Sequence, residues 1–533
     1  MTRGSAGTRT KSWLLAGFLI VGLLGIALRF IGFSTRLFWT DEGITAMRVA
    51  GHTGAQLTAT MLDGRAHPVS ELLRFAGRGS QGSLRDVVRS LAVEDAQHPP
   101  LYYVLSAQWT RLFGASISSL RMISVLFGCI VPLAVGWLCF ELYRSRTAAA
   151  LGFAFAAVSP VLVIYSQQAR EYALWAAFIA LSSAILLRAV RLHDVRWWVA
   201  YVVCAIAGLY TDPLFTVTLV SHAVYAAFYL RKKDLAAFTA AVVISFAAFA
   251  PWIGEILNHL RTIRATNGWT AGPWPVRMLV EKWIFNAGTS FFDLEYERGT
   301  LAIVLFVFLA LAVWAVYWNV IRTRPMQRIM TAALLIAPVV IVFLPDLVLH
   351  QHRSSVTRYG MPLYIALIVC VAGFLAMRIR TSNVGWVATA YALLIAGLIS
   401  SAVDVSSKVW WDNRGDAQNL PISRILNSGQ SSLVVIPENN WARALALAYY
   451  LRPGISVQMP PSQAAARLIP GFKRGFLLAS PKDAATFARL DGPLQLQYAA
   501  REENVQVRAF RGTAGGREFL SLWRFENYTG TPP

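Results

Sequence analysis

The chain has 533 residues, 56% of them hydrophobic and only 14% charged, with a mean hydropathy of +0.48 and a formal net charge of +21. Soluble domains carry about 25% charged residues, so this composition excludes an ordinary soluble protein. The excess of Lys and Arg points away from nucleic acid here, because in a membrane chain basic residues mark cytoplasmic loops and meet anionic headgroups.

In chain order, Met1–Trp13 is short, basic and polar. The apolar run 14–33 that follows is long enough to span, and no small-x-small cleavage site comes after it. It reads as a first transmembrane helix with its basic end in the cytoplasm. Further apolar blocks lie at 118–142, 147–164, 172–190, 197–211, 213–230, 235–253, 300–321, 329–345, 359–377 and 384–402, which predicts about 11 crossings. Every second connection is strongly basic: Arg144 and Arg146, then Arg188, Arg191 and Arg196, then Arg231, Lys232 and Lys233, then Arg322, Arg324 and Arg328, then Arg378 and Arg380. The positive-inside rule puts these in the cytoplasm and the other connections outside. Leu101–Phe113 is apolar but too short to span, so it reads as an interfacial or re-entrant helix of the first external loop. The cysteines Cys129, Cys139, Cys204 and Cys370 fall within apolar blocks and form no CxxC, so they read as packing residues.

After residue 403 the pattern changes to alternating strand and helix signals. Strands are expected at 432–437, 455–458, 476–479, 494–498, 505–510 and 519–525, with helices at 441–451 and 481–490. The expected organisation is a mainly α, polytopic membrane domain over 1–402 and an external soluble α/β domain over 403–533.

Four polar constellations fall in the external connections. Asp41 and Glu42 follow the first helix, and paired carboxylates at a membrane exit are costly unless solvated, paired or used. They suit a general base with a neighbour that positions it or holds a divalent cation; beyond that the sequence names no cofactor. Gln97-His98-Pro99-Pro100 opens the short helix that carries Tyr102; Pro-Pro fixes its entry angle, and His98 has the chemistry to donate to a phosphate. Arg170 and Glu171 sit side by side in a tight link. Arg353 and the pair Arg358-Tyr359 precede the tenth helix, and arginine suits phosphate through its planar fork. Taken singly, each also reads as a solvated turn or a snorkelling side chain. Their common placement on the external side is what raises them.

The order Trp39-x-Asp41-Glu42, then His98-Pro99-Pro100-Leu101-Tyr102-Tyr103, then Phe113-Gly114 with Arg121, then Ser159-Pro160 leading to Ala169-Arg170-Glu171-Tyr172, resembles the family 39 GT-C glycosyltransferases. These are the protein mannosyltransferase and aminoarabinose transferase relatives. Trp410-Trp411-Asp412-Asn413-Arg414 is similar to the segment that opens the soluble domain of bacterial members. The resemblance covers roughly residues 25–420. It implies a GT-C fold, a polyprenyl-phosphate sugar donor, reaction outside the inner membrane and inversion at the anomeric carbon. It also implies Asp41 as the base acting on the acceptor and His98 near the donor phosphate. Tyr172 stands where several members carry an acid, so a carboxylate role there does not carry over unless Glu171 takes it; His98 stands where others carry lysine, so the donor headgroup does not carry over.

A lipid-phosphate sugar keeps its phosphate at the interface, and its displacement needs a base on the acceptor side and positive charge on the departing phosphate. Asp41, assisted by Glu42, is the expected catalytic pair. His98, Arg170, Arg358 and Tyr359 are the expected phosphate-binding set, with Glu171, Tyr102 and Arg353 as further candidates. The acceptor is a glycan, lipid or protein. The rival reading is a lipid or polysaccharide flippase, which would carry its charges near the bilayer midplane.

Overall fold

The computed structural model describes residues 3–533 except 80, 267, 294–298, 382–383, 412, 430, 462–468, 470–471, 480–495, 499–520 and 526–533. The helix expected at 481–490 and the strand expected at 505–510 lie outside the described residues. The chain clusters into two compact units. One comprises Met1–Phe33, Asp95–Tyr102 and Arg121–Ser407; the other comprises Ser34–Glu94, Tyr103–Leu120 and Lys408–Pro533.

The first unit is built from apolar helices, the form in which a lipid-exposed backbone satisfies its own polar groups. Among the described residues, seven helices are long and apolar enough to cross a membrane: Ile117–Tyr143, Tyr172–Leu192, Lys232–Asn258, Leu305–Arg322, Pro325–Leu349, Thr357–Arg380 and Val384–Ser406. Arg146–Val158 and Pro160–Ser166, bent by 59°, make an eighth if they count as one span. The other three expected spans correspond to shorter apolar helices, Trp13–Leu28, Val195–Leu209 and Phe215–Tyr229.

The bend at Ser159-Pro160 frees backbone groups in the bundle, and several of them find partners. Arg29, fully buried at the end of the first helix, donates to the carbonyls of Ala157 (2.6 Å), Ala156 (3.1 Å) and Gly25 (2.8 Å). Ser401 Oγ donates to the Val158 carbonyl, and the Val161 N–H donates to the Thr289 carbonyl. Gln167 Nε2 in turn donates to the carbonyls of Leu28, Arg29 and Ile31, where the first helix runs out. Elsewhere in the bundle the Tyr201 hydroxyl donates to His222 Nδ1 and His222 Nε2–H donates to Ser183 Oγ. Ser183 donates onward to the Ile179 carbonyl, so one imidazole tautomer satisfies the whole chain.

This carbonyl cap depends on close helix approach. A Cβ on Gly25 would lie 2.6 Å from the backbone C and O of Ala157. Backbone cannot swing aside as a flexible side chain can, so Gly25→Ala must part the two helices at an overpacking cost of about 1–3 kcal/mol. Its thermal unfolding in detergent is expected several degrees below that of the native chain; an unchanged midpoint would contradict this packing.

Among its described residues the second unit contains a six-stranded sheet in the order β1-β3-β2-β4-β6-β5. The strands are β1 (Ala66–Pro68), β2 (Ser432–Val435), β3 (Ile455–Gln458), β4 (Arg474–Ala479), β5 (Leu496–Tyr498) and β6 (Ser521–Phe525). β2 runs parallel to β3 and β4, and the remaining pairs are antiparallel. β2 is buried along its whole length, as a central parallel strand with apolar residues on both faces requires. β1 comes from the loop after the first helix and pairs Ala66 with Gln458. The crossover helix Trp441–Ala448 packs on the helix Thr40–Val49, with Gly43 allowing the approach: a Cβ there would meet Ala446 at 3.2–3.3 Å.

Candidate active site

In the first unit, Asp95 starts a turn in which the His98 N–H donates to the Asp95 carbonyl at 2.8 Å. Pro99 and Pro100 then launch the helix Leu101–Phe113, whose first N–H donates to the Tyr210 carbonyl. That turn holds His98 Nδ1 2.8 Å from Asp95 Oδ1. On its other side, His98 Nε2 stands 2.8 Å from Arg170 Nη2 and 3.7 Å from Glu171 Oε1. Arg170 Nη2 also bonds Glu171 Oε1 at 3.0 Å, and Arg170 Nε donates to the Tyr172 hydroxyl at 3.2 Å. Arg170 and Glu171 are almost wholly buried, so the pair depends on these bonds to offset desolvation.

The Tyr172 ring lies near two guanidinium groups: Arg170 Cζ is 5.4 Å and Arg358 Cζ 5.7 Å from its centroid. Arg358 also lies 5.3 Å from the Tyr359 ring. The turn carrying Arg358 is set from beneath: Asp346 Oδ2 accepts from the Ser354 N–H and hydroxyl, and Asn286 bonds both the Ser355 carbonyl and the Thr357 hydroxyl. Tyr102 takes a supporting place, donating to Ser124 Oγ, which donates to the Arg170 carbonyl. The structure therefore gathers His98, Arg170, Glu171 and Arg358 around Tyr172, with Tyr359 and Tyr102 at their margins. Arg353 is exposed, and among the described residues no contact joins it to this cluster.

Two acids missed in the sequence belong here. Asp95 orients His98. Burial works against a charged His98, but Asp95 and Glu171 outweigh both burial and the opposing Arg170, and the imidazole titrates above its ordinary 6.5. When neutral, with its proton on Nδ1 facing Asp95, His98 accepts from Arg170; when protonated, it offers Nε2–H as a donor. Asp212 lies in the link whose neighbour Tyr210 anchors the short helix. Burial, reinforced by the Glu171 charge, pushes the Asp212 carboxyl up to about 7, despite the N–H of Leu214 that it accepts. Neither acid stands in a recognisable motif.

Asp41 and Glu42 belong to the second unit, in the first turn of the helix Thr40–Val49, where the helix dipole favours negative charge. Their environments differ. Asp41 is half-buried, whereas Glu42 is fully buried and accepts from the Trp39 N–H at 3.4 Å. The Thr40 N–H donates to Asp416 Oδ2 at 2.6 Å, Asp416 Oδ1 lies 3.5 Å from Arg443 Nε, and the Leu37 N–H donates to the Lys408 carbonyl. Arg36 lies over the Trp410 ring. Lys408, Trp410 and Asp416, in and beside the segment resembling the start of the bacterial soluble domain, thus brace the entry to Asp41. Among the described residues no three His, Cys, Asp or Glu side chains converge as a metal-holding group.

Residues 97–254 match the family model described as dolichyl-phosphate-mannose-protein mannosyltransferase. That stretch carries both the His98 turn and the Arg170 link. No curated protein matches the sequence. Among solved structures, ArnT from Cupriavidus metallidurans bound to undecaprenyl phosphate is similar over 98% of this chain and 99% of its own, with a TM-score of 0.56 at 13% identity. The apo state of the same protein gives a TM-score of 0.53 at 12% identity, over 99% and 100% of the two chains. Likeness at that identity is likeness of fold, and it extends from end to end. The resemblance read from the motifs is borne out: the chain has the GT-C fold and carries glycosyltransferase family sequence in its 97–254 segment.

Proposed function

We propose that this membrane glycosyltransferase moves a sugar from a polyprenyl-phosphate donor to a glycan, lipid or protein acceptor at the external face of the inner membrane, with inversion. The observation that carries the reading is the Arg170–His98–Arg358 cluster around Tyr172. It concentrates phosphate-seeking donors beside a broken span, where a lipid phosphate and its chain can lie together. Undecaprenyl phosphate in the ArnT structure supports the same donor class. Arg170, Arg358 and His98 hold the donor phosphate and stabilise it as it leaves. Asp41 takes the acceptor proton, and Glu42 fixes the turn that presents Asp41. The alternating basic connections support the external placement. Turnover of a synthetic polyprenyl-phosphate sugar by the purified chain in nanodiscs tests the proposal; binding of that lipid without transfer to any of the three acceptor classes would favour a carrier instead.

The two titrating groups give this site a pH signature. His98, with its pKa raised, is charged and attracts an anion below that pKa, and the attraction is lost as pH rises through it. Asp212 gains a negative charge as pH rises through about 7. Both changes act in one direction, so affinity for polyprenyl phosphate is expected to fall as pH climbs past neutrality. Asp212→Asn should flatten the alkaline part of the curve in a lipid-binding titration. Affinity that rises with pH would exclude these roles.

A further inference from the structure

A second cluster of charge lies away from the residues given to transfer. Near the end of the Ile117–Tyr143 helix, the Glu141 side chain is fully buried among arginines. Arg188 Nη1 reaches its Oε1 at 2.8 Å, Arg191 Nε its Oε2 at 3.0 Å, and Arg144 Nη1 its Oε2 at 3.1 Å. Trp137 Nε1 donates to Oε1 at 3.2 Å. One carboxylate therefore neutralises one of three guanidinium groups, and two positive charges remain.

Each guanidinium has five N–H donors in a planar fork, and one carboxylate uses few of them. The Arg144, Arg188 and Arg191 side chains stay 47%, 32% and 34% exposed. Arg188 Nε is buried with no acceptor. Trp197 lies 4.8 Å beneath Arg188 and packs edge-on to Trp137, giving the cluster the aromatic rim of a bilayer interface. Arg146 and Arg196, both exposed, add charge at the starts of the next helices. A basic pocket between membrane helices with unspent N–H donors complements a phosphodiester.

We infer that Arg144, Arg188 and Arg191, splayed around buried Glu141, form a headgroup site for an anionic phospholipid of the surrounding membrane. Glu141 holds the three forks apart and limits how tightly the anion is held.

The test compares chains reconstituted in nanodiscs of phosphatidylglycerol and phosphatidylcholine, then released for native mass spectrometry to count retained lipid. The native chain should retain phosphatidylglycerol preferentially. Arg144→Gln and Arg191→Gln should each lower that preference about fivefold. Glu141→Gln should raise it, a gain that a damaged fold could not produce. Equal retention of the two lipids, or an unchanged preference in both arginine variants, would overturn the site. Displacement of the retained lipid by inorganic phosphate alone would overturn the lipid assignment in favour of free phosphate.

Discussion

Asp41→Asn is expected to cut sugar transfer about 10²–10⁴-fold, the usual contribution of a general base. The substitution keeps size and most hydrogen bonding. Asp41 is only half-buried, so the chain should still insert and unfold at its normal temperature. Donor binding should hardly change, because the base acts on the acceptor. Glu42→Gln provides the contrast. Glu42 is fully buried and bonds the Trp39 N–H, so its loss should appear first as reduced stability and only then as reduced transfer. Near-native turnover in Asp41→Asn would remove the aspartate from the mechanism.

Arg170→Gln should have the second largest effect. Arg170 bonds His98, Glu171 and Tyr172 at once. A hydrogen bond to a charged group is worth about 1.5–3 kcal/mol, so losing one to the donor phosphate should weaken donor binding about 10- to 100-fold. The variant also removes the cation from buried Glu171, a change that is strongly destabilising when a buried pair is broken. Titration with polyprenyl phosphate, paired with a melting curve, separates the two losses. Arg358→Gln should weaken binding less and leave the melting curve nearly unchanged, since Arg358 is half-buried and contacts ring faces. Equal donor affinity in native and Arg170→Gln chains would refute the clamp.

The residues of the proposed clamp could be picked out because each sits in a short motif whose chemistry is local: His98 before two prolines, Arg170 beside Glu171, Arg358 beside Tyr359. Asp95 and Asp212 were not, because their roles depend on where folding brings them. Asp95 acts through a turn, and Asp212 through a link about 40 residues beyond Glu171. The block at 147–164 read as one span, since apolar composition is the same for a straight helix and one bent by 59°. Arg29 disappeared into an apolar run, although its real work is to cap the carbonyls that the bend exposes. β1 is three residues long, too short for an alternating pattern to announce it, so the tie between the first loop and the distant sheet was invisible. Strands such as β2, with its apolar run Leu433-Val434-Val435, and β3, where Ile455 and Val457 alternate with polar residues, could be read directly.

The pairing of β1 with β3 sets a clock on biogenesis. Ala66 leaves the ribosome about 390 residues ahead of its partner Gln458, and at 5–20 residues per second that gap lasts about 20–80 s. Throughout that interval the edge of β3 does not yet exist, and the loop bearing Asp41 must wait without its sheet. A chain stopped before residue 455 would therefore carry a complete first loop that never acquires its native strand partner, making the loop a ready target for chaperones and proteases.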